Sequence, residues 1–175
     1  LWSLPALAIA AIYPFTKRWF SIPQAILGFA FSMGIPMAFA AVRNDDWELA
    51  AILVAANFFW VLAYDTEYAM VDREDDLKIG IKTAAITFGT FDVAAVMTCY
   101  VITLLILYLI GKTLHYGLLY QMGLGLAGLI AMYHFFLIRH RERMQCFKAF
   151  RHNNWFGAAI FFGLVAELNL KHWLF

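Results

Sequence analysis

Charge is scarce in this chain. Asp, Glu, Lys and Arg make up 14% of the 175 residues, where a soluble domain carries about a quarter. That scarcity excludes an ordinary water-soluble domain and a nucleic-acid-binding surface, which needs clustered basic side chains. Cysteine is nearly absent too. Cys99 and Cys146 have neither pair spacing nor nearby ligand residues, so no disulfide or zinc site is inferred. Alternating apolar and polar positions are missing, which argues against a β-barrel. The opening residues show no basic segment and no small-residue cleavage site, so 1–13 is not a signal peptide. Leu1 falls inside an apolar run, and the expectation is that an N-terminal portion precedes it. No strong internal repeat is present.

What is abundant is apolar. Hydrophobic residues reach 63% and aromatic residues 18%, in continuous runs. In lipid every backbone polar group must be paired internally, so such runs read as membrane helices. The fold class is therefore all-α, a multi-spanning transmembrane bundle embedded in a lipid bilayer. The length allows five or six helices of about 20 residues.

Taken in order, 1–13 reads as the end of a membrane helix stopped by Pro14. Pro23 starts the next helix, where its missing N–H costs nothing. The span 24–41 contains Gly28, Gly34 and Pro36, which suggest close packing and a kink. A polar loop at 42–48 precedes the apolar run 49–63, whose helix extends into an acidic stretch. Asp92 precedes the span 93–110, a turn follows at 111–117, and 118–138 is the next span. A basic loop at 139–153 leads to a fifth span at 154–170, with Trp173 near its end.

Basic residues fall mainly on one side. The segments 14–21, 64–92 and 139–153 hold two, three and five Lys or Arg, ten of the thirteen, against Arg43, Lys112 and Lys171 opposite. The positive-inside rule makes the richer side cytoplasmic.

The stretch 64–83, YDTEYAMVDREDDLKIGIKT, holds six of the twelve acidic residues. On a helix at 100° per residue, Asp65, Asp72 and Asp76 fall within about 40° of one line. Tyr68 and Ala69 flank the line, Thr83 returns to it, and Asp75 lies to one side. Asp72 and Asp76 are one turn apart, about 6 Å. Aligned like charges repel, and a divalent cation reverses that. Oxygen ligands without His or Cys favour Mg²⁺, which bridges carboxylates to substrate phosphates. Lys78 and Lys82, read as one turn apart, can reach phosphate oxygens. Arg18 has the planar fork that suits a carboxylate, which Lys17 cannot imitate. Two plainer readings account for the same residues: a solvated interfacial helix with self-paired charges, and Lys17 and Arg18 as lipid-headgroup anchors.

Other features read as structural. Gly123, Gly125 and Gly128 spell GxGxxG inside an apolar span and form a helix-packing face, not a dinucleotide site. His134 is an interfacial or hydrogen-bonded residue. The run 139–143 is a lipid-facing anchor, and Glu167 snorkels to the interface.

The residues YDTEYAMVDREDDLKIGIKTAA resemble the second aspartate-rich motif of the UbiA superfamily of intramembrane aromatic prenyltransferases. The likeness is strongest to its bacterial 4-hydroxybenzoate polyprenyltransferases. The segments AAIYPFTKRW, PQAILGFAF, IPMAFAAV and RERMQCFKAF, with HNN soon after, extend it over nearly the whole chain. Thr83 stands where that subgroup commonly has Ser. The family's first motif, NDxxDxxxD, is absent, and Asn44-Asp45-Asp46 lies on the opposite side. The resemblance implies a nine-helix fold of which 1–175 is the C-terminal part of a single domain, about five full spans. It implies that Asp72 and Asp76 hold Mg²⁺ and through it a polyprenyl diphosphate, with Asp65 and Asp75 as nearby motif positions. It implies that Arg18 holds the carboxylate of 4-hydroxybenzoate, with Lys17, Tyr68, Lys78 and Lys82 as further substrate contacts. Asp65 and Asp72 are candidates for the base that takes the ring proton, beside the product diphosphate. The implied setting is ubiquinone biosynthesis at the bacterial inner membrane. The competing class is a carrier with a carboxylate ion or proton site. Carriers place such sites near the bilayer midplane, whereas here the carboxylates gather at one end.

Overall fold

A computed structural model describes residues 2–42 and 45–174, with side chains through 170. The described residues form eight α-helices: α1 (Ser3–Thr16), α2 (Pro23–Ser32), α3 (Gly34–Val42), α4 (Trp47–Ile79), α5 (Ala84–Phe88), α6 (Asp92–Thr113), α7 (Leu118–Ile138) and α8 (Arg143–Leu174). A single 3₁₀ turn, Gly89–Phe91, joins α5 to α6. The all-helical transmembrane class expected from composition is the one observed.

Among the described residues four segments are long and apolar enough to cross a membrane: Pro23–Val42, Trp47–Ile79, Ala84–Thr113 and Leu118–Ile138. The expected count was about five. The difference is the expected span 154–170, which lies in the second half of the 32-residue α8 and carries Asn154, Glu167 and Asn169. Arg43, Asn44, Lys171 and Trp173 lie outside the residues or side chains described.

Helix α4 is the axis of the fold. Its 33 residues contain neither Gly nor Pro, so nothing interrupts the backbone ladder. Gly80 ends it in the left-handed conformation (φ 70°), and the Ile81 N–H reaches back to the Asp76 carbonyl at 3.0 Å. This is glycine's usual role after a helix end. At 1.5 Å per residue α4 is about 50 Å long, well beyond a hydrocarbon core of about 30 Å. One end must project into the headgroup region or water.

Several expected boundaries move. Helix α1 continues past Pro14 to Thr16, because a proline in the last turn disturbs little beyond it. The span expected at 24–41 breaks at Met33 between α2 and α3, next to Gly34 and Pro36. The basic loop expected at 139–153 shrinks to four residues, since α8 starts at Arg143.

Helix α4 packs against α2, α3, α6 and α8, and α7 lies along α8. Tyr100, Phe156, Ile138, Val61 and Val96 are fully buried at the centre. Lipid is as apolar as leucine, so close packing and hydrogen bonds hold such helices together. Gly123 shows the packing: a Cβ there would lie 2.8 Å from both the Ala159 carbonyl oxygen and the Gly163 Cα. Gly125 has nothing within 4 Å, and Gly128 meets only Leu104 at 3.8 Å. The glycine face is thus one close contact between α7 and α8. Glu167 does not snorkel. It is buried, and its Oε1 accepts the Gly117 N–H at 2.7 Å, which caps the start of α7.

Candidate active site

The acidic stretch is the last four turns of α4, so the helical arithmetic applies to it directly. Asp65 is buried, while Asp72 and Asp76 are half-buried on the same face. Lys17 is a charged neighbour of both Asp65 and Asp76, and its Nζ lies 5.7 Å from the Tyr13 ring centroid. Backbone contacts hold it there. The Lys82 N–H donates to the Lys17 carbonyl at 3.0 Å, and the Lys82 Nζ donates to the Trp19 carbonyl at 3.1 Å. The Thr87 hydroxyl donates to the Ser21 carbonyl, and the Ala84 N–H to Gln24 Oε1 at 2.8 Å. The loop after α1 and the loop after α4 therefore form one end of the bundle. Arg18 sits at that end, exposed, with no ion pair among the described residues.

Some of the expected partners part company. Gly80 ends the helix before Lys82 and Thr83, so neither continues the acidic line, and Lys78 and Lys82 are not one helical turn apart. Lys82 turns to the backbone of the 17–19 segment. Lys78 donates to Asp75 at 3.1 Å. Thr83 caps α5 by accepting the Ile86 N–H at 3.3 Å. Tyr68 has Asp72, Asp65 and Asp76 as charged neighbours, and its ring packs on Phe150 with centroids 4.9 Å apart.

The run 139–143 is not a lipid-facing anchor. Arg141 Nε donates to both oxygens of Asp92, at 2.9 and 3.1 Å, and its Nη2 donates to the Thr90 carbonyl at 2.8 Å. Arg73 Nη1 reaches the same carboxylate at 3.2 Å. Asp92 is fully buried, and a buried carboxylate must be paired. That need draws the arginines inward. The bond to Asp92 holds the Arg141 guanidinium above its usual pKa. Two residues on, Arg143 straddles the acidic motif: Nη1 is 3.1 Å from Asp75 Oδ2 and Nη2 is 3.6 Å from Asp72 Oδ1.

Comparison with known proteins gives the family. The sequence pattern of the UbiA prenyltransferase family matches residues 1–161. The chain belongs to the UbiA prenyltransferase family. It is 62% identical over 165 residues to 4-hydroxybenzoate octaprenyltransferase of Azoarcus sp. (strain BH72), and 61% identical to the same-named protein of Paraburkholderia phymatum. These alignments cover 94% of the chain but 58% of each relative, so the chain spans less than two thirds of their length. Two solved structures share the fold. A UbiA homolog from Aeropyrum pernix K1 in its apo form superposes with a TM-score of 0.70 at 20% identity, over 91% of this chain and 62% of that one. A digeranylgeranylglyceryl phosphate synthase gives 0.71 at 15% identity, over 93% and 61%.

UbiA chemistry implies a metal, and the donors of α4 can be tested against one. Among the described residues no three His, Cys, Asp or Glu side chains form a metal-holding group. Mg²⁺ needs fewer, since it takes one or two carboxylates and completes its shell with water and substrate phosphate. Asp72 and Asp76 supply oxygen donors of that kind one turn apart, and Asp72 already draws a cation, the Arg143 guanidinium. Their chemistry suits a hard divalent cation. Asp75 is engaged by Lys78 and Arg143 and points to the side.

On the other face of this UbiA helix lies a network of which sequence reasoning had only His134, read as interfacial or hydrogen-bonded; it is buried and hydrogen-bonded. Glu67 is fully buried, 200° around α4 from Asp65. Tyr100 donates to its Oε1 at 3.0 Å, and Asn153 Nδ2 donates to the Tyr100 oxygen. His134 Nδ1 is 3.0 Å from that oxygen, and its Nε2 is 3.2 Å from His152 Nδ1. One tautomer satisfies the series: His152 Nδ1–H donates to His134, His134 Nδ1–H to Tyr100, and Tyr100 to Glu67. Trp60 Nε1 donates to Asn153 Oδ1 at 2.6 Å. Four helices are keyed together by these side chains. The available signal was a histidine inside an apolar span, where polar groups are costly and rare; Glu67 and Asn153 fell in the acidic stretch and the basic loop, where polar residues are expected.

Proposed function

We propose that this chain carries the second half of the diphosphate site of a 4-hydroxybenzoate polyprenyltransferase, in which residues 1–175 are the C-terminal part of one transmembrane domain. The observation that supports it most is the unbroken α4, which lines up Asp65, Asp72 and Asp76 on one face beside Lys17. The 62% identity to a 4-hydroxybenzoate octaprenyltransferase supports the choice of substrates. A carrier, the other class the acidic helix suggested, is set aside by the family match.

In this reading Asp72 and Asp76 would hold Mg²⁺, which when bound would supply positive charge to a diphosphate leaving group. Lys17 adds positive charge on the side of Asp65 and Asp76, and stabilises charge that grows on the departing oxygens. Arg18 orients the aromatic acid through its carboxylate. The bond between the first prenyl carbon and the diphosphate oxygen breaks. The ring carbon ortho to the phenol hydroxyl bonds to that carbon, and the ring loses its proton. The cavity of about 820 Å³ bounded by Phe31, Trp60, Tyr64, Phe150 and Phe161 offers the isoprenoid chain an aromatic side, with Asn57, Arg151, Asn153 and Asn154 making the rest of the wall polar. The positive-inside count supports an orientation with the acidic end facing the cytoplasm, the bacterial relatives support an inner-membrane setting, and the product would enter ubiquinone biosynthesis.

The test is product formation by the purified enzyme from octaprenyl diphosphate and 4-hydroxybenzoate, read by mass spectrometry with and without EDTA. Carbon-prenylated product that disappears with EDTA and returns with Mg²⁺ is expected. Full activity in EDTA would exclude the metal, and absence of product in Mg²⁺ would exclude the reaction.

A further inference from the structure

Arg143 is the first residue of α8 and, among the described residues, the guanidinium set across the acidic motif. Its geometry is unlike that of a structural ion pair. The contact to Asp75 is a good one at 3.1 Å, but the contact to Asp72 is 3.6 Å, too long for a hydrogen bond. The side chain is 59% exposed and Asp75 52%, so water screens the pair and it adds little stability.

The backbone that carries Arg143 is fixed nonetheless. Arg141 is tied to the buried Asp92, which Arg73 also holds. The Cys146 N–H bonds the Glu142 carbonyl at 2.9 Å, and Cys146 is fully buried. A clamped base with a loosely held head is the arrangement of a group that can change partner. A divalent cation on Asp72 would repel the guanidinium from it. The freed N–H groups then lie beside the motif, within a side chain's swing of phosphate oxygens. A planar fork binds such oxygens in pairs.

We propose that Arg143 is a diphosphate-binding residue of this site. It neutralises Asp72 and Asp75 while the site is empty and moves onto the diphosphate when metal and substrate enter. The inference rests on the function proposed above. It makes Arg143 a competitor of the metal alone and an ally of the metal–diphosphate pair, two effects of opposite sign.

The test uses the whole enzyme in lipid nanodiscs, with Mn²⁺ as a spectroscopically visible divalent ion and inorganic pyrophosphate as the probe. Arg143→Ala is expected to bind Mn²⁺ alone several-fold more tightly than wild type. It is expected to bind pyrophosphate with Mg²⁺ about tenfold or more weakly, the scale of a lost charge-assisted hydrogen bond. Arg143→Lys, which keeps the charge without the fork, should fall between. If both affinities stay at the wild-type value while Asp72→Asn loses Mn²⁺, the role of Arg143 is overturned and the function reading stands. If wild type binds no Mn²⁺, or Asp72→Asn binds it normally, the function reading fails and this inference with it. Parallel loss of both affinities in Arg143→Ala, with a lowered melting temperature, would make Arg143 merely structural.

Discussion

Arg141 and Asp92 meet through a chelated geometry, with Nε 2.9 and 3.1 Å from the two carboxylate oxygens. The two residues are 49 positions apart in sequence, and their bond ties the loop before α8 to the start of α6. Because Asp92 is fully buried, the pair fixes the end of the bundle where the acidic motif lies. Arg141→Ala should destabilise the protein by about 1.5 kcal/mol, the low end for a hydrogen bond to a charged group, because Arg141 is partly exposed and Arg73 remains on Asp92. Arg141→Lys should recover only part of this, since the fork is lost. Thermal denaturation in detergent checks it, and an unchanged melting temperature in Arg141→Ala would refute the clamp.

The Glu67 network predicts a contrast between two substitutions. Glu67→Gln keeps an oxygen for the Tyr100 hydroxyl and should fold with nearly wild-type stability. Glu67→Ala removes that acceptor inside the bundle and should cost about 1–3 kcal/mol for the unpaired polar group, with a further loss from the cavity. Equal melting temperatures for the two variants would show that the network contributes nothing.

Close approach of α7 and α8 predicts a second contrast. In Gly163→Val the new side chain would start 2.7 Å from the Gly123 Cα, against backbone that cannot yield without separating the helices. A loss of about 1–3 kcal/mol or more is expected, the range for overpacking. Gly125→Ala meets open space and should be tolerated. Denaturation curves of the two variants decide it, and tolerance of Gly163→Val would mean that the helices are held by other contacts.

The same side chains show how far a sequence can be read. The limits of α7, residues 118–138, were legible because an apolar run ends at Gly117 on one side and Arg139 on the other. The acidic face of α4 was legible because it follows from helical geometry alone. The supposed lysine pair failed at one residue, Gly80, whose left-handed backbone ends the helix between Lys78 and Lys82. The start of α8 was hidden because Arg143, Lys148 and Arg151 look like a loop when their partners are unknown. The ties of Arg141 to Asp92, and of Tyr100 to Glu67 and His134, join distant positions, and no local pattern reports them.

Arg18 is exposed and unpaired among the described residues, so its removal should leave the fold intact. Arg18→Ala is expected to raise KM for 4-hydroxybenzoate roughly tenfold or more, the scale of a charge-assisted contact, with a smaller change for the prenyl diphosphate. Steady-state kinetics with each substrate varied in turn separates the two. A selective loss of prenyl diphosphate binding would contradict its assignment to the carboxylate.

The central claim is that the Asp72 and Asp76 face of α4 handles the diphosphate through a divalent cation. The most direct measurement is prenyl transfer by Asp72→Asn in Mg²⁺, alongside the variant's melting temperature. The amide keeps the size of the side chain and removes its charge. The account predicts at least about a hundredfold loss of rate, roughly 2.7 kcal/mol of transition-state stabilisation, in a protein that melts like wild type. Transfer at the wild-type rate by a normally folded Asp72→Asn enzyme would contradict it.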